Sequence, residues 1–186
     1  NYILKKKAIS ELDLFNKFNK WPSKNILFVS GSRGKTSVCK KVYKKLINQN
    51  LYKKIFYLDR EKYTFSNLPK YKEGFFLIAE VDYQTLLITK SIDAKYRILT
   101  SFFKIENKAL KNDNLYLKAK LKIFSKLKKN DYIFVNNQTL KKLKRNIKVF
   151  KNKVILTNNS KSIKKINDSL VDMTIKIIKK KHNEKY

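Results

Sequence analysis

The sequence predicts an α/β fold: a three-layer α/β/α domain with a mostly parallel sheet and a phosphate-binding loop after its first strand. Three observations carry this. Short β-branched and aromatic runs alternate with longer stretches of helical spacing. Several of the short runs are apolar throughout, the pattern of strands covered on both faces. Finally, two of the chain's three glycines, Gly31 and Gly34, fall close together, directly ahead of a Lys-Thr pair.

The elements follow in order. In AISELDLFNKF, Ser10 is placed to cap a short helix, with Asp13 three residues on. Strands are expected at 26–30, 54–58, 75–81, 96–101, 131–135 and 153–157, each of ordinary strand length. Between and after them, helical spacing covers 36–48, 114–127, 139–145 and 160–180. Strand, helix, strand in repetition argues for a parallel sheet with helices on both sides. With 186 residues, 42% of them hydrophobic, the chain suffices for one core. The expected organisation is a lead-in helix and linker over 1–24, one domain over 25–181 and a tail over 182–186, with the Lys-rich end KIIKKKHNEKY, residues 176–186, expected to fray.

The formal charge of +31, from 45 Lys and Arg against 14 Asp and Glu, has two readings. One is a nucleic-acid partner. The other is compositional drift, because the abundant residues (Lys, Asn, Ile, Phe, Tyr) are those of A/T-rich codons. The scarcity of arginine favours drift: only Arg33, Arg60, Arg97 and Arg145 occur, and arginine is the residue preferred for bidentate recognition of phosphates and bases. Any nucleic-acid binding is then non-specific. A single cysteine, Cys39, excludes an internal disulfide, and a lone His182 leaves no zinc cluster. No apolar run approaches the roughly 20 residues that cross a bilayer, and no signal peptide is expected. A cytoplasmic protein is expected. Because the chain opens with Asn1 and has its only methionine at Met173, it is expected to be a piece of a longer polypeptide.

The stretch NILFVSGSRGKTSVCKKVYKKL, residues 25–46, carries the chemistry. A buried strand runs into GSRGKTS and then into a helix, the context a phosphate loop requires. Glycines at 31 and 34 let backbone N–H groups turn around a phosphate. Lys35 would reach its outer oxygens, Thr36 would offer a hydroxyl to Mg²⁺, and the helix dipole adds positive potential. Ser32 and Ser37 flank these residues, and Arg33 either touches phosphate or faces water. The usual G-x-x-x-x-G-K-[ST] spacing is not met, since Val29 stands at its first position. The shorter G-x-x-G-K-[ST] is what stands here.

That shorter loop resembles the loop of the Mur ligase superfamily, the ATP-dependent amide-forming enzymes of peptidoglycan precursor synthesis and their folylpolyglutamate and poly-γ-glutamate synthetase relatives. Other stretches fall in that family's order. SELDLF at 10–15 is similar to the segment preceding the loop in UDP-N-acetylmuramoyl-L-alanine:D-glutamate ligases, and SNLP at 66–69 to their Asn-containing turn, with Asn67. FFLIAEVDYQTL at 75–86 resembles the strand ending in a metal-binding Glu, at Glu80, with Gln84 near the family's Gln. YLKAKLKIF at 116–124 resembles the helix bearing a carbamylated lysine, at Lys120. DYIFVNN at 131–137 is similar to the next strand with its Asn, Asn136, and KINDSLVDM at 165–173 to a helix opening with an Asn.

The resemblance implies phosphoryl transfer from ATP to a carboxylate, followed by attack of an amine on the acyl phosphate. It assigns Gly31, Ser32, Arg33, Gly34, Lys35, Thr36, Ser37, Asn67 and Asn136 to ATP, Thr36, Glu80 and Lys120 to Mg²⁺, and catalysis to Lys35 and Lys120. The partners implied are ATP and a UDP-sugar-peptide substrate. There are departures. The family's metal-binding His falls at Ile105, with Glu106 adjacent, and its Ser-Ser after the Glu is replaced by Val81 and Asp82. The match covers the family's central ATP-binding domain alone, so substrate sites would come from missing domains or a partner chain. Read from the residues themselves, Glu80 has the alternative of pairing with a lysine, and Lys120 that of one more solvated lysine. At the level of the whole protein, a stand-alone P-loop nucleotide-binding protein and a basic nucleic-acid binder stay beside the ligase.

Overall fold

The computed structural model describes residues 9–59, 64–90, 92–102, 113–143, 154–157 and 162–184. They form a three-layer α/β/α sandwich around six parallel strands: β1 (Ile26–Ser30), β2 (Lys54–Leu58), β3 (Phe75–Glu80), β4 (Tyr96–Leu99), β5 (Tyr132–Asn136) and β6 (Val154–Thr157). Their order across the sheet is β2-β3-β1-β4-β5-β6. The central strand β1 is buried along its whole length, which is why ILFVS carries no polar residue before Ser30.

Alternation along the strands divides the core. Leu27, Val29, Phe76, Ile78, Tyr96, Ile98 and Phe134 face one helical layer. That layer is α2 (Lys35–Asn48), through Val38, Cys39, Val42 and Leu46, and α6 (Ile163–Asn183), through Ile166, Leu170, Val171, Ile175 and Ile178. Each such side chain contributes about 1.5–3 kcal/mol when fully buried. The exposed pairs Lys41–Asp168 and Lys45–Asp172 join the two helices at their rim, where such ion pairs add little.

Ile26, Phe28, Leu77, Ala79, Leu99, Ile133 and Val135 face the opposite layer. It is built from α1 (Glu11–Phe18), α3 (Tyr83–Ile88), α4 (Asp113–Leu121) and α5 (Asn137–Leu143). Helix α1 starts as expected: Ser10 Oγ accepts the Asp13 amide at 3.0 Å, and Leu12 and Phe15 turn inward. Among the described residues no helix is long and apolar enough to cross a membrane.

Strand boundaries match the sequence expectation to within two residues, and the main differences lie in the helices. The helix expected over 114–127 ends at Leu121, followed by a 3-10 turn, Lys122–Phe124. The reason is Arg97, almost wholly buried on β4. Its Nη1 takes the carbonyls of Ile123 at 3.0 Å and Ser125 at 2.6 Å, its Nη2 that of Ile92 at 3.1 Å, and its Nε that of Ala94 at 2.8 Å. Asp131 closes the set at 3.2 Å. Carbonyls drawn to a guanidinium in this way are unavailable for continuing a helix. Helix α6 starts later than expected, capped by Ser162, and it continues through His182 and Asn183. The imidazole of His182 stands edge-on to the Tyr52 ring with centroids 5.3 Å apart, so these two residues of the expected tail belong to the helix.

Candidate phosphate-binding site

The site lies at the C-terminal edge of the parallel strands. Sheet order reverses direction around β1, the place where open α/β sheets bind ligands. After Ser30 the chain turns at Gly31, with φ +144°; a Cβ there would meet Thr100 Oγ1 at 2.1 Å. Gly34, with φ +87°, forms the left-handed N-cap of α2. A Cβ on it would meet Asn167 Nδ2 at 2.6 Å. Both positions therefore strain any residue that carries a side chain, which explains the placement of two scarce glycines.

Between the glycines the loop is held by the end of β4. Ser101 accepts the Ser32 amide on its carbonyl at 3.0 Å and the Arg33 amide on its hydroxyl at 2.9 Å. Thr100 Oγ1 donates to the Arg33 carbonyl at 2.6 Å. The Ser32 hydroxyl lies 2.9 Å from that of Tyr116 on α4. With its backbone secured, Arg33 leaves its side chain exposed. Gly34 has no side chain with which to cap α2, and the N–H groups of a first helical turn have no partner within their own helix.

Two lysines bring positive charge to this rim. Lys35 Nζ donates to the Gly31 carbonyl at 3.1 Å. Lys120 Nζ donates to the same oxygen at 3.2 Å and to Ser30 Oγ at 3.2 Å. It also stands 5.4 Å from the centre of the Tyr116 ring. Lys120 is buried, only 2% exposed, so it is not a solvated lysine of the helix surface.

Glu80, at the tip of β3 and paired in register with Val29, is the acidic member. Its Oε2 accepts the Thr36 hydroxyl at 3.1 Å and its Oε1 accepts the Tyr57 hydroxyl at 2.7 Å. Burial, then the hydrogen bond to Glu80, push the Tyr57 hydroxyl well above its ordinary pKa. Beneath the loop, burial raises the Cys39 thiol, with the Glu80 charge adding to the effect. Both groups are therefore neutral at physiological pH. Thr36 and Glu80 supply oxygen donors only, the chemistry a hard cation such as Mg²⁺ takes, usually from one or two carboxylates together with substrate phosphates.

The structure thus brings together Gly31, Ser32, Arg33, Gly34, Lys35, Thr36, Ser37, Glu80 and Lys120. Asn136 lies beside them: its Nδ2 donates to the Thr100 carbonyl at 2.9 Å, and its Oδ1 accepts the Thr139 amide at 2.7 Å. Its amide thus steadies the residue that clamps the loop. Asn67 stands apart, exposed in the 3-10 turn Phe65–Asn67 beside α1, with no hydrogen bond to the loop. Gln84 is exposed on α3, while Val81 is buried and Asp82 caps α3 through the Thr85 amide at 2.7 Å. Ile105 and Glu106 lie outside the described residues.

Tyr57, Ser101 and Tyr116 are supporting neighbours of the site that sequence reasoning missed, and Asn167 was noticed only as a motif position. A separate cavity of about 650 Å³, lined among others by Asn25, Tyr52, Tyr71 and His182, contains none of the site's residues.

No family model matches this sequence, and no curated protein matches it. Solved structures do. One is UDP-N-acetylmuramate:L-alanyl-γ-D-glutamyl-meso-diaminopimelate ligase from Neisseria meningitides, 12% identical with a TM-score of 0.59 over 88% of this chain and 64% of that one. Another is MurF ligase from Thermotoga maritima in complex with ADP, 16% identical with a TM-score of 0.52 over 79% of this chain and 35% of that one. The chain has a Mur ligase fold. It spans less than two thirds of either neighbour's length, and at these identities the likeness concerns fold alone.

Proposed function

We propose that this chain is the ATP-binding core of an ATP-dependent amide ligase of the Mur type, acting on a UDP-N-acetylmuramoyl substrate and most like the D-glutamate-adding enzymes. The observation that carries the reading is that Lys35 and Thr36, opening α2 directly after a glycine-bounded loop, meet Glu80 from the tip of the neighbouring strand β3. Support comes from the neighbour that was solved with ADP.

In this reading Lys35 holds the outer phosphates of ATP, and the opening N–H groups of α2 face them. Asn136 serves the nucleotide indirectly, by steadying Thr100 behind the loop, and Asn67 would serve it only from the separate turn Phe65–Asn67. Thr36 and Glu80 would hold Mg²⁺, with Lys120, once carbamylated, as a further oxygen donor. Bound there, the cation would neutralise charge developing on the transferred phosphoryl group. The chain's own residues supply position and electrostatics: Ser101 and Thr100 keep the loop preformed, and Lys35 and Arg33 set positive charge where the phosphoryl group moves. The carboxylate and amine are held by segments beyond these residues or by a partner chain.

The test is catalysis. With ATP, Mg²⁺, UDP-N-acetylmuramoyl-L-alanine and D-glutamate, the 186 residues alone are expected to bind nucleotide and yield no amide, since orienting the reactants is worth roughly 7–11 kcal/mol. Expressed with whatever the reading frame encodes on either side, they are expected to give substrate-dependent phosphate release and product. Failure of that longer protein would remove the ligase and leave a P-loop nucleotide-binding protein.

A further inference from the structure

The position of Tyr57 has a bearing on how the carboxylate of Glu80 would meet a cation. Tyr57 lies on β2 opposite Ile78 of β3. In a strand, residues two apart share a face, so Ile78 and Glu80 stand on the side toward α2, and the Tyr57 ring reaches one pleat along to the Glu80 carboxylate. The Tyr43 ring of α2 packs against it with centroids 6.1 Å apart. The phenol is thus held by strand register on one side and by helix packing on the other.

The two oxygens of Glu80 have different donors: Thr36 on Oε2 at 3.1 Å and Tyr57 on Oε1 at 2.7 Å. The Thr36 contact cannot survive cation binding unchanged. A hydroxyl that coordinates Mg²⁺ does so through a lone pair, and the cation would take the space between Thr36 Oγ1 and Glu80 Oε2, so the proton now shared with Glu80 must turn away. The Tyr57 contact lies on the far oxygen and has no such conflict.

We propose that Tyr57 is a positioning residue for the divalent cation: its hydroxyl keeps the Glu80 carboxylate aimed at Thr36 when the Thr36 hydrogen bond opens. This rests on the nucleotide-binding reading above. Donors behind a ligating carboxylate fix its orientation, and removing one typically weakens metal affinity about 10–100-fold.

The experiment compares wild type with Tyr57→Phe, which keeps the ring and its contact with Tyr43. ATP affinity is measured by calorimetric titration in EDTA and across a series of Mg²⁺ concentrations, with thermal unfolding as a check of the fold. The variant is expected to need at least about 10-fold more Mg²⁺ for half-maximal enhancement of ATP binding, with its affinity in EDTA unchanged. An Mg²⁺ dependence equal to wild type overturns the proposal, and so does an equal loss of affinity with and without the cation, the mark of a merely structural role. If wild type itself binds no ATP, or binds it without regard to Mg²⁺, the nucleotide-site reading fails and the positioning role falls with it.

Discussion

Lys35 and Lys120 hydrogen-bond to the same oxygen, the Gly31 carbonyl, at 3.1 and 3.2 Å. One lysine opens α2, directly after the loop, and the other sits on the last turn of α4, far along the chain. Two ammonium groups that share an acceptor repel each other, a cost that an anion bound beside them would offset, and Lys120 donates to Ser30 Oγ as well. The loop is therefore a place of concentrated positive charge, set against the carboxylate of Glu80.

Gly34→Ala is expected to weaken both the fold and ATP binding. The left-handed backbone costs about 1–3 kcal/mol for a residue with a side chain, and the added methyl would press on Asn167 at 2.6 Å. Gly74→Ala serves as the control: its φ is +85°, but the atoms nearest the new methyl belong to the flexible side chain of Lys53. Both variants should unfold at lower urea than wild type, while only Gly34→Ala should lose ATP affinity. Unchanged ATP binding by Gly34→Ala would contradict the close fit between loop and α6.

Arg97→Met is expected to destabilise the protein by about 3–5 kcal/mol, because Asp131 is left buried without its cation. The carbonyls of Ile92, Ala94, Ile123 and Ser125 also lose their donor. Burial pulls the Arg97 pKa down to about 10, so the side chain is still cationic at neutral pH. Arg97→Lys should recover little, since one ammonium cannot span the positions of a planar fork. Urea unfolding at pH 7 measures both, and a loss below about 1 kcal/mol for Arg97→Met would show that the network is dispensable.

The difference between what the sequence revealed and what it hid follows from chain distance. Gly31, Gly34, Lys35 and Thr36 were legible because one short stretch carries strand, turn and helix signals together. Ser10 was legible through Asp13 in its own first turn, and Glu80 as a carboxylate ending an apolar strand. Tyr57 carried no such signal: its role depends on β3 lying between β2 and β1 and on the register that sets Tyr57 beside Ile78. Ser101 reads as one more small residue after a strand until β4 is placed against β1, where its carbonyl and hydroxyl contacts clamp the loop. Likewise, the end of α4 is set by an arginine on another strand, and helical spacing cannot register a contact of that kind.

The central claim, that residues 31–36 cradle the phosphates of a nucleotide, is tested most directly by equilibrium titration of ATP with Mg²⁺ into wild type and Lys35→Ala. Removing a charge-assisted contact should weaken binding by about 1.5–3 kcal/mol, more than tenfold in dissociation constant. Equal affinity for the two proteins would contradict the account.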